Sequence, residues 1–343
     1  MELFTERSLE NTEAYNFFVQ MKANKVPADL AIAKAIRDEI GVKDELLDGQ
    51  LNIIRKKVYY GYTPSSYMSP AIQEIFEEKR HTQDYFSCFH FLLPQYGLRK
   101  GCLHLLVGDT GKGKSTLIRS IALENAIKKN VFILLSEENS DAYSHKLNET
   151  ASIFKHIQGF SSVNLNNIKL ATELAQDFHP ERDFKRFFDM ISDFISRDKI
   201  DLFIYDNFST GLFADKFDLQ KDAIKKFKEL SLRFNIPFII VSHPKKGASF
   251  ESLFLTSDQI RGNSSLSTMP EFIYTLNSCE LDGKLKNYLL IAKSRDYDKA
   301  RGLWFELKYT QDESKNGFYS GDTKVSGSLV IENLKKARKS IAK

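Results

Sequence analysis

A glycine-rich stretch between residues 108 and 115 has the residue types and the spacing that bind phosphate. It reads Gly-Asp-Thr-Gly-Lys-Gly-Lys-Ser and matches the pattern G-x-x-x-x-G-K-[ST] at every fixed position. In such a loop backbone N–H groups surround the phosphates, the lysine (Lys114) reaches the β- and γ-oxygens, and the hydroxyl of Ser115 binds Mg²⁺. An apolar run at 102–107 precedes the loop and a helical pattern follows it, as the motif requires. We therefore predict a site for ATP or another NTP with Mg²⁺, built from Gly108, Asp109, Thr110, Gly111, Lys112, Gly113, Lys114, Ser115 and Thr116.

Acidic residues follow two further apolar runs. The run 131–135 is followed by Ser-Glu-Glu, and the run 202–205 ends in Asp206, a Walker-B pattern. Acids at the carboxyl ends of parallel strands beside such a loop are placed to activate water or to hold Mg²⁺. We predict Glu137 as the base that activates the attacking water, with Glu138 as the alternative, and Asp206 as the Mg²⁺ residue. Taken alone, each pattern is also that of a helix cap or a turn.

A histidine follows a fourth apolar run. Residues 237–241 form the run, and Ser242 and His243 come directly after it. A strand at this point would deliver the imidazole to the same sheet edge, where it would sense the γ-phosphate. Without the neighbouring motifs, a single histidine is more often one that is simply hydrogen-bonded in place.

Short apolar runs alternate with longer helical patterns from residue 101 onward. That alternation predicts an α/β fold with a mostly parallel sheet. Before it, residues 1–62 have the spacing of helices, and the proline- and serine-rich stretch 61–70 is typical of a linker. We predict a helical N-terminal region at 1–62, a linker with a short helix at 63–96, an ATPase core at 97–330 and a basic tail at 331–343.

The excess positive charge is confined to the C-terminus. The 343 residues include 49 Lys and Arg and 45 Asp and Glu, which gives a net charge of +4. The last thirteen residues hold five basic residues and one acid, so residues 1–330 balance at 44 of each. This distribution excludes a histone-like binder that is basic throughout. Basic loops on a neutral core remain compatible with it.

The three cysteines, at 88, 102 and 279, form no C-x-x-C pair. Their spacing excludes a zinc ribbon and a disulfide framework, and it favours a reducing compartment. The N-terminus lacks the order of a signal peptide, and no apolar run reaches the roughly 18 residues that span a bilayer. We predict a protein without a membrane partner, located in the cytoplasm of a bacterial cell or of a virus-infected host.

In this order, the four elements resemble the RecA-like ATPase core of ring-shaped replicative helicases. Within the DnaB-type superfamily, the chain is most similar to the helicase part of phage primase–helicases and mitochondrial Twinkle. The resemblance covers about residues 97–318 and includes the segments Gly-Leu-Arg-Lys-Gly at 97–101, Leu-Ser-Glu-Glu at 135–138 and Ser-His-Pro-Lys-Lys at 242–246. It implies a RecA-like P-loop core and a 5′–3′ helicase that moves on single-stranded DNA as a homohexamer. It also favours Glu137 over Glu138 and implies a phosphate-sensing role for His243.

Two later segments also resemble family motifs. Ser-Asp-Gln-Ile-Arg-Gly-Asn-Ser-Ser-Leu at 257–266 is similar to D-[LI]-R-G-S-[GA]-x-L with one inserted residue, which lines the central channel in the family. The resemblance implies DNA contacts by Lys245, Lys246 and Arg261. Ala-Lys-Ser-Arg at 292–295 resembles the K-x-R motif, in which the arginine enters the neighbouring subunit's ATP site and the lysine lies beside it. Arg295 and Lys293 would then act in trans, and Tyr309 would stack on the adenine.

Each of these assignments has a plainer alternative. Arg295 has the spacing of an ordinary surface arginine, Lys245 and Lys246 that of solvated loop charges, and Tyr309 that of a core aromatic.

The chain departs from the family at both ends. The zinc ribbon and the primase fold that precede the core in phage primase–helicases do not fit into about 95 residues without C-x-x-C, so primase activity is not expected. The acidic tail of some relatives is replaced by basic residues, which favours a nucleic-acid contact. The expected partners are single-stranded DNA and further copies of the chain, and a primase, polymerase or single-strand-binding protein is a candidate. The alternative function is a non-unwinding RecA-family DNA-dependent ATPase, such as a recombination mediator, plasmid-replication factor or helicase-loading partner.

Overall fold

The computed structural model describes residues 89–92, 98–154, 156, 163–172, 179–248, 252–295, 298–310 and 316–341. The chain divides into two units, Met1–Thr82 and Gln83–Lys343, and every described residue belongs to the second. The predicted helical region 1–62 therefore lies outside the described residues. So does the predicted linker 63–96, apart from residues 89–92, where a short 3-10 helix spans His90–Leu92.

A nine-stranded sheet lies at the centre of the second unit, with the order β3-β2-β4-β5-β1-β6-β7-β8-β9. Neighbouring strands from β3 to β6 are parallel, and those from β6 to β9 are antiparallel. The strands are β1 (Leu103–Gly108), β2 (Val131–Leu135), β3 (Ile168–Ala171), β4 (Leu202–Asp206), β5 (Phe238–Ser242), β6 (Phe272–Leu281), β7 (Lys284–Ser294), β8 (Trp304–Thr310) and β9 (Phe318–Val325).

Helices cover both faces of the parallel part of the sheet. Leu106 and Ile133 pack in one cluster with α1 and α2, while Leu105 and Phe132 pack in a second cluster with α3 and α4. Alternate residues of a strand face opposite sides, so strands buried on both faces are apolar throughout. None of the described helices is long and apolar enough to cross a bilayer. They are α1 (Lys114–Asn125), α2 (Ser140–Phe154), α3 (Phe184–Arg197), α4 (Phe217–Phe234), the short α5 (Ser265–Thr268) and α6 (Gly327–Ile341).

Parallel pairing brings four strand ends to one edge of the sheet. The end of β1 pairs with the end of β5 through Val107 and Ser242, and the end of β2 pairs with that of β4 through Leu135 and Asp206. Strand β5 lies between β1 and β4, so the phosphate-binding loop and the Walker-B acid are separated by the strand that precedes His243. The predicted fold class is confirmed as far as the α/β core with a mostly parallel sheet, and its helical N-terminal part lies outside the described residues.

Lys335, Lys336, Arg338 and Lys339 belong to α6, which packs on the antiparallel part of the sheet. Val330, Leu334 and Ala337 are buried against a cluster that includes Tyr288 and Trp304. The predicted boundary between core and tail at residue 330 is therefore wrong, because it falls inside a helix whose apolar side is part of the core.

Candidate nucleotide-binding and catalytic site

The phosphate-binding loop connects the carboxyl end of β1 to the start of α1. Gly111 and Gly113 have φ values of 77° and 89°, a region that suits glycine and strains other residues. At Gly113 a β-carbon would also collide with the hydroxyl of Tyr319 on β9, so only glycine allows this close approach. Helix α1 begins at Lys114, and the amino-terminal end of a helix favours an anion.

Lys114 lies at the centre of this sheet edge and is only 6% exposed. Its Nζ donates to the carbonyl of Asp109 at 2.9 Å and lies 3.2 Å from Nδ1 of His243. Burial lowers the pKa of Lys114, and the nearby carboxylates of Asp206 and Glu137 act in the opposite direction. An ammonium held between these acids and the loop is placed to bind phosphate oxygens.

Glu137 contacts the histidine predicted to sense phosphate. Its Oε1 lies 3.1 Å from Nε2 of His243. The imidazole of His243 thus lies between the side chain of Lys114 on its Nδ1 side and the carboxylate of Glu137 on its Nε2 side. The hydrogen bond from His243 is the main cause that lowers the pKa of Glu137, while burial opposes it. An ionised, 45% exposed carboxylate at this edge is suited to accept a proton from water.

Glu138, the alternative base, has a different environment. Its carboxylate pairs with Lys146 on α2, and its side chain makes none of the contacts that connect Glu137 to His243. The geometry therefore places Glu137, and not its neighbour, beside His243.

Asp206 ends β4 beside the phosphate-binding loop and is 6% exposed. Burial raises the pKa of Asp206, and a hydrogen bond from Ser115 and the charge of Lys114 oppose that rise. A hydroxyl and a carboxylate are the hard oxygen ligands that Mg²⁺ prefers, together with phosphates and waters. The pair fits Mg²⁺, because a bound cation would favour the ionised form of a carboxyl that burial disfavours. Among the described residues no cluster of three His, Cys, Asp or Glu side chains is placed to hold a metal.

Asn207, which follows β4 directly, was missed by sequence reasoning. Its Nδ2 lies 2.6 Å from Nε2 of His243 and donates to Oε1 of Glu137 at 3.4 Å. Its Oδ1 accepts from both the backbone N–H and the hydroxyl of Ser209, at 2.9 and 2.6 Å. The amide is thus fixed on one side and touches both predicted catalytic groups on the other. Its one signal in the sequence was its place after the Walker-B acid, and asparagine after a strand is usually a turn residue.

Tyr309 lies one aromatic ring away from the phosphate-binding loop. Its ring meets that of Tyr319 edge to face with centroids 5.5 Å apart, and Tyr319 contacts Gly113. Tyr309 is 48% exposed, so the plainer assignment as a core aromatic is wrong. An exposed ring beside the loop is suited to stack on a planar base.

Lys293 and Arg295 lie at the opposite edge of the sheet. The end of β7 pairs with the start of β6, and the start of β6 lies beside the start of β1, whereas the phosphate-binding loop follows the end of β1. The structure does not bring Lys293 or Arg295 to the nucleotide site of their own chain. A role at a nucleotide would require the site of another subunit.

These two cations hold the end of a short helix. Nζ of Lys293 donates to the carbonyls of Ser267 and Thr268 at 2.8 and 2.7 Å, and the guanidinium of Arg295 donates to that of Thr268. Burial, and then the neighbouring Arg295, lower the pKa of Lys293 to about 8. The motif therefore has a structural role within the chain at the carboxyl end of α5.

The predicted DNA-contacting residues lie on two segments that pair beside the catalytic edge. The segments meet through an antiparallel bridge, and the backbone N–H of Arg261 donates to the carbonyl of His243 at 3.0 Å. The ammonium of Lys245 donates to the carbonyl of Asp258 at 2.8 Å, and Lys246 is exposed. A backbone hydrogen bond therefore connects Arg261 directly to His243, and that of Lys245 goes to Gln259 on the same segment as Arg261.

No protein-family model and no curated protein match the chain. Among solved structures it is similar to the KaiC-like protein PH0186 from the hyperthermophilic archaeon Pyrococcus horikoshii OT3. That similarity has a TM-score of 0.49 and 15% sequence identity, and it covers 70% of this chain and 98% of that chain. A likeness of this degree assigns no activity.

Proposed function

We propose that the chain is a DNA-dependent ATPase that works as a ring-forming, replicative-type helicase and moves 5′–3′ on single-stranded DNA. The observation that carries the ATPase part is the contact series from Lys114 through His243 to Glu137. It joins a phosphate-binding cation to a carboxylate suited to act as a base. The helicase part is supported by the family resemblance and by the position of the basic segments beside His243.

The proposed chemistry is hydrolysis of the terminal phosphoryl group. Glu137 accepts a proton from water, the water oxygen attacks the γ-phosphorus, and the bond from that phosphorus to the bridging oxygen breaks to release the diphosphate. Lys114 and the loop N–H groups stabilise the charge on the phosphate oxygens. Mg²⁺, when bound through Ser115 and Asp206, supplies further neutralisation of that charge.

His243 is the proposed connection between hydrolysis and DNA. Its ring contacts Lys114 and Glu137, and its backbone carbonyl accepts from Arg261. If the ring of His243 shifts when the γ-phosphate is lost, the backbone of the same residue would pass that shift to Arg261. Loss of the γ-phosphate would in this way change how the basic residues bind DNA.

Assembly into a ring would complete the nucleotide site. Arg295 lies away from the site of its own chain, and a guanidinium supplied by a neighbour would add the final positive charge to the transition state. We propose a homohexamer in which each Arg295 acts on the adjacent subunit.

The direct test is displacement of one strand from a forked duplex. The wild-type chain should unwind the fork only with ATP and Mg²⁺, and Lys114→Ala should not unwind it, because the cation that binds the β- and γ-phosphates is gone. Unwinding by Lys114→Ala at the wild-type rate would contradict the mechanism. ATP hydrolysis that DNA stimulates without any strand displacement would instead establish the non-unwinding ATPase.

A further inference from the structure

Helix α6 carries almost all of the chain's excess positive charge in a fixed orientation. Its buried side is formed by Val330, Leu334 and Ala337. One flank is fixed by Asn333, whose Nδ2 donates to the hydroxyl of Tyr288 at 2.9 Å. The helix therefore cannot rotate about its axis without breaking its core contacts, and its basic residues point in defined directions.

The other flank of α6 is attached to the segment that leads to the predicted DNA contacts. The guanidinium of Arg338 donates to the backbone carbonyl of Ser252, and the amide of Gln259 donates to the hydroxyl of the same serine. The ammonium of Lys245 donates to the carbonyl of Asp258, the residue that precedes Gln259. Arg338 thus joins the helix to the described parts of a loop that we call the basic loop, residues 244–248 and 252–262.

Two exposed lysines of α6 continue from Arg338: Lys335 is its neighbour on the helix surface, and Lys339 is the neighbour of Lys335. Lys335 precedes Arg338 by three residues, and Lys339 follows Lys335 by four, and residues at these spacings lie on the same side of a helix. Both lysines are exposed. They therefore extend the positive charge of the basic loop along the helix.

The next lysine of the helix has a different environment. Lys336 pairs with Glu332 at 2.7 Å, and the hydrogen bond that it donates to that carboxylate, together with the charges of Glu332 and Asp282, raises the pKa of Lys336. Its charge is balanced locally. Among the described residues, no acid forms such an ion pair with Lys335 or Lys339.

We propose that Lys335 and Lys339 bind the phosphate backbone of single-stranded DNA, on a surface that Arg338 joins to the basic loop. A row of exposed cations on a rigid helix suits a phosphate chain without regard to sequence. This inference rests on the proposed DNA-dependent function and adds a second contact region to it. The three residues near the catalytic edge would then be only part of the DNA path.

The experiment measures binding of fluorescein-labelled oligo-dT to the full chain with Mg²⁺ and a non-hydrolysable ATP analogue, at salt concentrations from about 50 to 200 mM. Each phosphate contact on a single strand contributes about 0.7 to the slope of log K against log salt. The double variant Lys335→Gln with Lys339→Gln should lower that slope by about 1.4. Lys336→Gln on the same helix should leave it unchanged.

A second control removes two charges elsewhere. Lys128→Gln with Lys129→Gln changes two lysines after α1, just before the amino end of β2, and should leave the slope unchanged. An unchanged slope in the Lys335 and Lys339 double variant, with normal wild-type binding, would overturn the inference and leave the proposed function intact. If the wild-type chain fails to bind oligo-dT, both the inference and the proposed function are overturned.

Discussion

Glu137 and Glu138 are neighbours in the chain with opposite surroundings. Glu137 contacts His243 and Asn207 at the edge where the phosphate-binding loop lies. Glu138 is turned to α2 and pairs with Lys146. Two consecutive residues of the same type after β2 therefore contact different groups.

This difference predicts the effect of removing each charge. Glu137→Gln should keep nucleotide binding, because no phosphate ligand is lost, but should lower the rate of ATP hydrolysis by about 10²–10⁴, the usual contribution of a general base. Glu138→Gln is the matched control and should hydrolyse ATP at close to the wild-type rate. Measurement of nucleotide affinity and turnover for both variants checks this. Loss of turnover in Glu138→Gln alone would exchange the two roles.

The contact between His243 and Glu137 predicts a pH effect. The hydrogen bond from His243 lowers the pKa of Glu137. The ionised carboxylate can therefore act as a base at any pH above that lowered pKa, and it becomes protonated and inactive as the pH falls below it. His243→Ala should raise the pKa of Glu137 and move the acid limb of kcat to higher pH. His243→Gln keeps a donor and should move it less. An acid limb that stays in place in His243→Ala, or moves to lower pH, would contradict the contact.

At the site, the sequence predicted residues whose chemistry permits few substitutes. Phosphate binding requires a glycine at position 113 and a cation at position 114. Both residue types therefore appear in the sequence at the fixed spacing of the motif. Asn207 belongs to no such motif, and an asparagine after a strand is common in turns, so the sequence did not single it out. Its role depends on the distance to His243, which only the pairing of β4 with β5 establishes.

At the scale of elements, helix α6 is both part of the hydrophobic core and a carrier of positive charge. Its outward side carries the basic residues, and its inward side closes a hydrophobic cluster over β6 and β7. Deleting the chain after residue 330 would therefore remove core side chains together with charge. Point substitutions separate the two effects.

The inward side of α6 predicts a stability effect. Leu334→Ala leaves a cavity next to buried side chains and should lower the free energy of unfolding by about 2–5 kcal/mol. Leu329→Ala changes the same residue type at a position that is 47% exposed and should change it by less than about 0.5 kcal/mol. Urea denaturation of both variants measures this. Equal stability of the two variants would show that α6 is not part of the core.

The sequence predicted the central strands and missed three others. The apolar runs of β1, β2, β4 and β5 are buried on both faces and are visible without a partner. Strands β3, β8 and β9 mix exposed and buried residues, since they lie towards the ends of the sheet. Helix α6 was missed because its charge was more conspicuous than the spacing of its three buried residues.

At the scale of the whole molecule, the nucleotide site and the K-x-R motif lie at opposite edges of the sheet. Lys293 and Arg295 contact α5 and not the phosphate-binding loop. If Arg295 acts on nucleotide, it acts on that of a second copy. The proposed ring supplies such a copy.

This arrangement predicts complementation between two inactive variants. Arg295→Ala keeps its own phosphate-binding loop, and Lys114→Ala keeps its Arg295, so each alone should hydrolyse ATP poorly. In a mixture, some interfaces combine an intact loop with an intact arginine, and activity should rise above the sum of the separate samples. A mixture with no more activity than that sum would contradict action in trans.

The central claim is that single-stranded DNA drives hydrolysis of MgATP at the edge formed by β1, β2, β4 and β5. The rate of ATP hydrolysis with and without oligo-dT, for the wild-type chain and for Lys114→Ala, tests it most directly. We predict that DNA raises the wild-type rate and that Lys114→Ala stays at background under both conditions. A wild-type rate that is indifferent to DNA, or a Lys114→Ala rate equal to the wild type, would contradict it.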